Sequence, residues 1–190
     1  GLGRDYSEGI IQSIDLTHTL NNTTFYTLKA SYSYKKAEYY LYEDYNDPRY
    51  LPNFYSKTLS PTLYYAGGTD NYRSERTTKT YTIKGDIVSQ MFKIHEVKAG
   101  FELRLHELKK DAYSLDFYNR SDDSPVSLGD LLSGNADYYN ELDPDIDNFD
   151  AQPTQFAAYI QDKMELAKTL ILNVGLRYEY FDPDAQYNYN

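Results

Sequence analysis

Asp143-Pro144-Asp145-Ile146-Asp147-Asn148-Phe149-Asp150 sets carboxylates at alternate positions, as a calcium loop does. An EF-hand loop also needs Gly at position 6 for its sharp turn and a bidentate Glu at position 12. Position 6 here is Asn148 and position 12 is Thr154, so an EF-hand is excluded. A looser Ca2+ site in the acidic loop 143–150 stays open, but a solvated acidic loop is favoured. The stretch 116–153 holds ten acids and one base, Arg120. A loop of that charge could hold divalent cations, or could repel anionic ligands.

The other chemistry-bearing residues are dispersed. His18, His95 and His106 are too scattered for a metal triad or a Ser-His-Asp set. Gly67-Gly68 reads as a turn, because no Gly-Lys-Ser or Gly-Lys-Thr follows to make a phosphate loop. Asn22-Thr23-Thr24 matches a glycosylation triplet but falls at a tight turn. No cysteine is present, which removes disulfides, thiolate metal sites and a Cys nucleophile. No catalytic, cofactor-binding or metal residue is assigned, and the chain reads as a non-enzyme. Lys84, Asp86, Glu102, Arg104, Arg177 and Glu179 form a further group. They could line a permeation path, meet another domain, or pair across strands to stabilise the sheet.

The elements that carry these residues show period-2 alternation almost throughout. Ile10, Ile14, Leu16 and Leu20 share one face against Ser13, Asp15, Thr17 and Thr19. The pattern returns in five further runs, giving strands at about 9–20, 24–43, 77–90, 95–115, 154–165 and 170–182. Connections alternate short and long, with long loops at about 44–76 and 116–153. That asymmetry belongs to up-and-down outer-membrane barrels, with tight periplasmic turns and long extracellular loops. Soluble sandwiches have short connections at both ends. One register keeps Lys, Arg, Asp and Glu off the centre of the apolar face in all six runs, with Asp162 as the exception near a short turn. Asn21-Asn22 is expected to make the first turn through its tolerance of positive φ.

Composition agrees. The 190 residues include 23 Tyr and 8 Phe, too many rings for a disordered chain. Tyr32, Tyr34, Tyr39, Tyr40, Tyr42, Tyr178 and Tyr180 crowd the long-loop ends, as an aromatic girdle would. A net charge of −10 argues against nucleic-acid binding. A mean hydropathy of −0.73 suggests solubility at first sight, yet a barrel wall hides its apolar residues by alternation. Gly1-Leu2-Gly3-Arg4 carries no initiator Met or signal peptide, so the chain is expected to be an internal piece of a longer protein.

Three stretches resemble TonB-dependent outer-membrane receptors, in the branch common in Bacteroidetes-like bacteria with a carboxypeptidase-regulatory-like domain before plug and barrel. They are Leu16-Thr17-His18-Thr19-Leu20-Asn21-Asn22-Thr23-Thr24-Phe25-Tyr26, His95-Glu96-Val97-Lys98-Ala99-Gly100-Phe101-Glu102-Leu103-Arg104, and Ala158-Tyr159-Ile160-Gln161-Asp162-Lys163 with Leu172-Asn173-Val174-Gly175-Leu176-Arg177-Tyr178-Glu179-Tyr180-Phe181-Asp182-Pro183. The resemblance implies an all-β, antiparallel up-and-down barrel segment, about six strands of a 22-stranded barrel, with no plug domain in this stretch. It implies outer-membrane lipid and lipopolysaccharide as surroundings, and a plug domain and TonB complex as partners in the full-length protein. The function implied is energised import of a bulky nutrient (siderophore, glycan or peptide), captured by loops around Asn46 to Arg76 and Asp116 to Pro153. A secreted β-sandwich ligand-binding module and a passive porin are the alternatives.

Overall fold

The computed structural model describes residues 1–52, 54–56, 64–127, 137–144, 148–167 and 169–184. Its strands are β1 (Arg4–Asn21), β2 (Thr24–Tyr40), β3 (Phe54–Ser56), β4 (Tyr64–Gly67), β5 (Tyr72–Phe92), β6 (His95–Asn119), β7 (Tyr138–Pro144), β8 (Phe149–Ala151), β9 (Thr154–Ala167) and β10 (Leu170–Asp182). Among the described residues there is no helix. The main antiparallel sheet runs β1-β2-β5-β6-β9-β10, with β7 and β8 also paired to β6, and it is not closed. β3 and β4 form a separate hairpin.

The long connections contain more structure than the alternation predicts. β6 is 25 residues long. It pairs with β9 from His95↔Met164 to Leu105↔Thr154, then with β7 from Tyr113↔Pro144 to Asn119↔Tyr138. The expected loop from residue 116 is therefore partly strand. Its acid-rich sequence hid this, because carboxylates are poor strand formers and only the partner strand satisfies the backbone.

The turns are tighter than expected. β5 ends at Phe92 and β6 begins at His95. At the first turn, positive φ is not the device used. Among non-glycine described residues only Asp123 and Asp184 have it. Instead the Asn21 side chain accepts from the Thr23 backbone N–H at 2.9 Å and the Thr23 hydroxyl at 2.8 Å. Asn is chosen here as a local acceptor rather than for its backbone freedom.

Register confirms the two faces. Ala99↔Ile160, Phe101↔Ala158 and Leu103↔Phe156 stand opposite one another on β6 and β9. Leu172↔Met164, Leu176↔Ile160 and Tyr178↔Ala158 continue that face onto β10. On the interior strands Ile83, Ile87, Phe101 and Leu105 remain exposed. Each large aliphatic side chain left in water forgoes about 1.5–3 kcal/mol, so an apolar face open on central strands fits a lipid neighbour. Asp162 lies on this face, opposite Val97 and Val174. The sequence expectation left it unpartnered, but His95 Nδ1 is 2.7 Å from Asp162 Oδ2.

Two glycines make aromatic contacts across the sheet. A Cβ on Gly85 would lie 2.6 Å from the Phe101 ring, and one on Gly100 would lie 2.8 Å from the Tyr159 ring. Each ring covers the gap left by the missing side chain. Tyr159 thereby donates its hydroxyl to Asp86.

The chain divides into two compact units. The loop-bearing unit is Gly1–Glu8, Lys36–Arg76 and Lys109–Phe149. The wall unit is Gly9–Lys35, Thr77–Leu108 and Asp150–Asn190.

Candidate functional site

The loop-bearing unit has its own core. Tyr50, Leu115 and Phe117 are buried, with Leu41, Tyr42 and Leu142 packed against them. Tyr50 is held by its hydroxyl, which donates to the Tyr42 carbonyl and accepts from the Tyr42 N–H, each at 3.0 Å. Arg73 donates to the Tyr42 and Glu43 carbonyls, both at 2.7 Å. These bonds satisfy backbone groups of the loop just beyond the end of β2.

Asp70 ties three segments together. Its Oδ2 accepts from Gly3 N–H at 3.0 Å and from the Tyr39 hydroxyl at 2.5 Å, and its Oδ1 accepts from Tyr72 N–H at 3.3 Å. Burial pushes this carboxyl up, but the hydrogen bonds from Tyr39, Gly3 and Tyr72 outweigh it and hold it below the ordinary value. Asn71 follows, 8% exposed. Its carbonyl accepts from Leu115 N–H at 3.0 Å, and its Oδ1 accepts from the Thr69 hydroxyl at 2.7 Å.

A cleft of about 500 Å³ opens beside this joint, lined among others by Asn71, Tyr72, Asp116, Phe117 and Tyr118. Register places Asp116 opposite Glu141, and Ser114 opposite Asp143. Burial first, and then the charge of Asp143, push the Asp116 carboxyl above its ordinary value. The Asp116 charge in turn raises the Tyr118 hydroxyl. Tyr118 stacks on Tyr139 with ring centres 5.9 Å apart. A second cleft of about 450 Å³ is lined by Asn46, Tyr50, Arg120, Asp137, Tyr139 and Asn140, among others. There Arg120 Nε is 3.1 Å from Asp137, and Asn140 Nδ2 donates to the Tyr45 carbonyl at 2.9 Å.

The charged group singled out by alternation lies in the wall unit. Lys84–Asp86, Glu102–Arg104 and Arg177–Glu179 are ion pairs. All three join residues two apart on one strand, not residues on different strands as the cross-strand reading expects. Cross-strand pairing falls elsewhere: Lys79–Glu107 at 2.8 Å and Lys29–Asp15 at 3.4 Å. Glu102, Arg104, Arg177 and Glu179 do share one groove of about 320 Å³.

The histidines stay apart. His18 meets Tyr26 edge-on, His95 meets Asp162, and His106 Nδ1 lies 2.9 Å from the Thr80 hydroxyl. Of the acidic stretch 143–150, residues 145–147 lie outside the described residues. Asn148 Oδ1 accepts from Ala112 N–H at 2.5 Å, so it serves the sheet. Among the described residues no three His, Asp or Glu side chains group as metal ligands would.

The tyrosines divide. Tyr39 and Tyr42 are committed to the loop-bearing unit through Asp70 and Tyr50, and Tyr40 stacks on Tyr6 at 4.6 Å. Tyr178 and Tyr180 stand exposed on the apolar face at 61% and 49%.

Sequence reading named the two long loops as the place of capture, and the clefts are built from them. It did not single out Asp70, Asn71 or Asp116. Their only local signal is Gly-Thr-Asp-Asn-Tyr at 68–72, polar turn residues leading into an alternating run.

No curated protein matches the chain. The outer membrane beta barrel domain family matches residues 3–190. That match, an all-β antiparallel sheet, and an apolar face exposed on central strands agree with one another: the chain belongs to the outer membrane beta barrel domain family and resides in the bacterial outer membrane.

Proposed function

We propose that this chain is wall and loops of a TonB-dependent receptor that binds a bulky nutrient and imports it with energy from the TonB complex. One observation carries the reading. The residues that resemble such receptors, around His95–Arg104, Ala158–Lys163 and Leu172–Pro183, fall on β6, β9 and β10, neighbours in one sheet. The long connections meanwhile form a unit with its own core and clefts lined by Tyr, Asn and Asp. Clefts of a few hundred Å³ on which several polar and aromatic side chains converge suit binding of a specific ligand rather than open diffusion. The role is binding and transport, not catalysis. The long connections would then be extracellular and the short turns periplasmic.

The secreted sandwich module gives way to the outer-membrane family. A passive porin is separated by two measurements on the full-length protein. In planar bilayers with KCl, a plugged receptor stays closed, whereas steady conductance would favour the porin. Direct binding to the purified periplasmic domain of TonB is expected. Its absence under conditions where a known receptor binds would sink the TonB reading.

A further inference from the structure

The apolar face of the wall unit has a trough in it. About 470 Å³ in volume, it crosses β1, β2 and β5 and is lined by the stretches 12–14, 30–32 and 81–83. Alternation puts Gln12, Ile14, Ala30, Tyr32, Tyr81 and Ile83 on the apolar face, and Ser13, Ser31 and Thr82 on the other. Ala30 is the small side chain among them and leaves the floor open. Tyr32 and Tyr81 wall one end, their ring centres 5.1 Å apart. Gly85 lies two residues beyond Ile83 on β5. A Cβ there would meet the Phe101 ring at 2.6 Å and Leu28 Cδ2 at 3.2 Å, so those two side chains close over the glycine and wall the other end. Ile14 and Ile83, between the walls, are 71% and 52% exposed. The face also changes character along β5. Ile83 is apolar, Tyr81 adds a hydroxyl, and Lys79 is paired with Glu107 at 2.8 Å. Apolar, then amphipathic, then charged is the order that a lipid presents from chain to headgroup.

We propose that this trough seats one acyl chain of an outer-membrane lipid, with the headgroup toward Lys79 and Glu107. Location decides the occupant: the protein resides in the outer membrane, so lipid covers this face. An acyl chain against a level wall is touched on one side only. Laid in the trough it meets the floor and both walls, and each added carbon contact contributes dispersion energy. Tyr32 and Tyr81 bring ring and hydroxyl to the level where aromatic residues meet lipid headgroups. A saccharide or peptide finds little here to hydrogen-bond, since Gln12 and two tyrosine hydroxyls are the polar side-chain groups on this face of the trough. The inference rests on outer-membrane residence and not on the receptor reading, so either can fail alone.

The full-length protein in phosphatidylcholine vesicles is irradiated with a small fraction of phosphatidylglycerol carrying a diazirine on its acyl chain, and the adducts are mapped by mass spectrometry. Adducts are expected to favour Ile14, Tyr32, Tyr81 and Ile83 about tenfold over Ile160 and Leu176, which stand opposite one another on the same face of β9 and β10. A diazirine near the ester end should mark Tyr32 and Tyr81, and one at the chain end Ile83 and Leu28. Ala30→Phe fills the trough and should remove the excess. Val174→Phe adds the same ring to the outer face of β10 and should leave it. Even labelling over the whole face of the unaltered protein overturns the proposal, and that outcome needs no variant to fold. So does an excess that survives Ala30→Phe, or one lost equally in Val174→Phe. Ester-end label on Leu28 with chain-end label on Tyr81 overturns the orientation. Native mass spectrometry tests the rival occupant: a dimer that Ala30→Phe converts to monomer would seat a second copy in the trough and overturns the lipid assignment.

Discussion

Leu115 and Leu176 are the same side chain in two settings. Leu115 is 2% exposed in the core of the loop-bearing unit; Leu176 is 78% exposed on the outer face of β10. One unit folds as a water-soluble protein does, apolar side chains inward around Tyr50 and Phe117. The wall unit is inverted: its large aliphatic residues stand outward, and the ion pairs Glu102–Arg104 and Arg177–Glu179 occupy the other face. The difference shows what each unit takes from its surroundings. The loop-bearing unit carries its own hydrophobic driving force, whereas the wall unit draws on lipid to cover its outer face. A mutation should therefore be judged by unit, not by residue type.

The largest expected effect lies in the core of the loop-bearing unit. Phe117→Ala empties a 7%-exposed position against Tyr50 and Tyr138. Loss of a buried Phe costs about 3–5 kcal/mol. Limited proteolysis of the full-length protein in detergent should then cut within residues 36–76 and 109–149, while the wall strands stay protected. Protection of both units would show that the core does not hold the loops.

Next comes the wall. Leu176→Arg places a guanidinium on the lipid face, at a cost of about 2–4 kcal/mol near the midplane. Asn173→Glu, which places a charge on the opposite face of the same strand beside Lys163, should cost about 0.5 kcal/mol or less. Urea unfolding from lipid vesicles would read the difference. Equal costs at the two positions would remove the inside–outside distinction on which the comparison stands.

A smaller effect is expected where the sheet relies on a missing side chain. A Cβ on Gly100 would meet Asp86 Oδ1 at 2.6 Å and the Gly85 carbonyl oxygen at 2.7 Å. The Asp86 side chain can move, but the carbonyl cannot move without disturbing β5. Gly100→Ala should cost about 1–3 kcal/mol as overpacking. Tyr159→Phe, which removes the donor to Asp86 and keeps the ring, should cost less. If Tyr159→Phe were the more damaging of the two, the hydrogen bond and not the close packing would be the main contribution.

These cases also show what could be read from the chain. The wall was legible because lipid on one face and polar surroundings on the other impose a strict period of two. The two faces of the strands and the place of Asp162 on the apolar one followed from it. His95 as the partner of Asp162 was not legible, because 67 residues separate them and only strand pairing makes them neighbours. The loop-bearing unit was nearly opaque. Tyr50 lies between Pro48 and Pro52 in a run with no period, and its burial depends on β6 from far along the chain. Asp116 looked like one acid among many until β7 placed Glu141 opposite it. Aperiodic segments reveal their core only through long-range contacts, which composition does not encode.

The smallest effect uses pH and concerns the loop-bearing unit alone. Hydrogen bonds from the Arg49 guanidinium and then the Arg49 N–H lower Asp47 from 3.8 to about 2. The same residue's carbonyl accepts from Tyr50 N–H at 3.0 Å, so the turn and the buried Tyr50 share one support. A carboxyl lowered on folding stabilises the folded state above its unfolded value and loses that contribution as pH falls through the folded one. The turn at 44–50 should therefore loosen between about pH 4 and pH 2. Hydrogen exchange of the Tyr50 amide, corrected for its intrinsic pH dependence, would report this, and Asp47→Asn should flatten the response. Asp116 has the opposite sign, since burial and Asp143 raise it. Its favourable contribution is present below the unfolded value and disappears as pH rises through the folded one. Asp116→Asn should thus stabilise residues 113–119 at neutral pH and change little in acid. If both variants moved stability in the same direction at neutral pH, the contrast between a neutralised acid and an unbalanced one within this unit would be wrong.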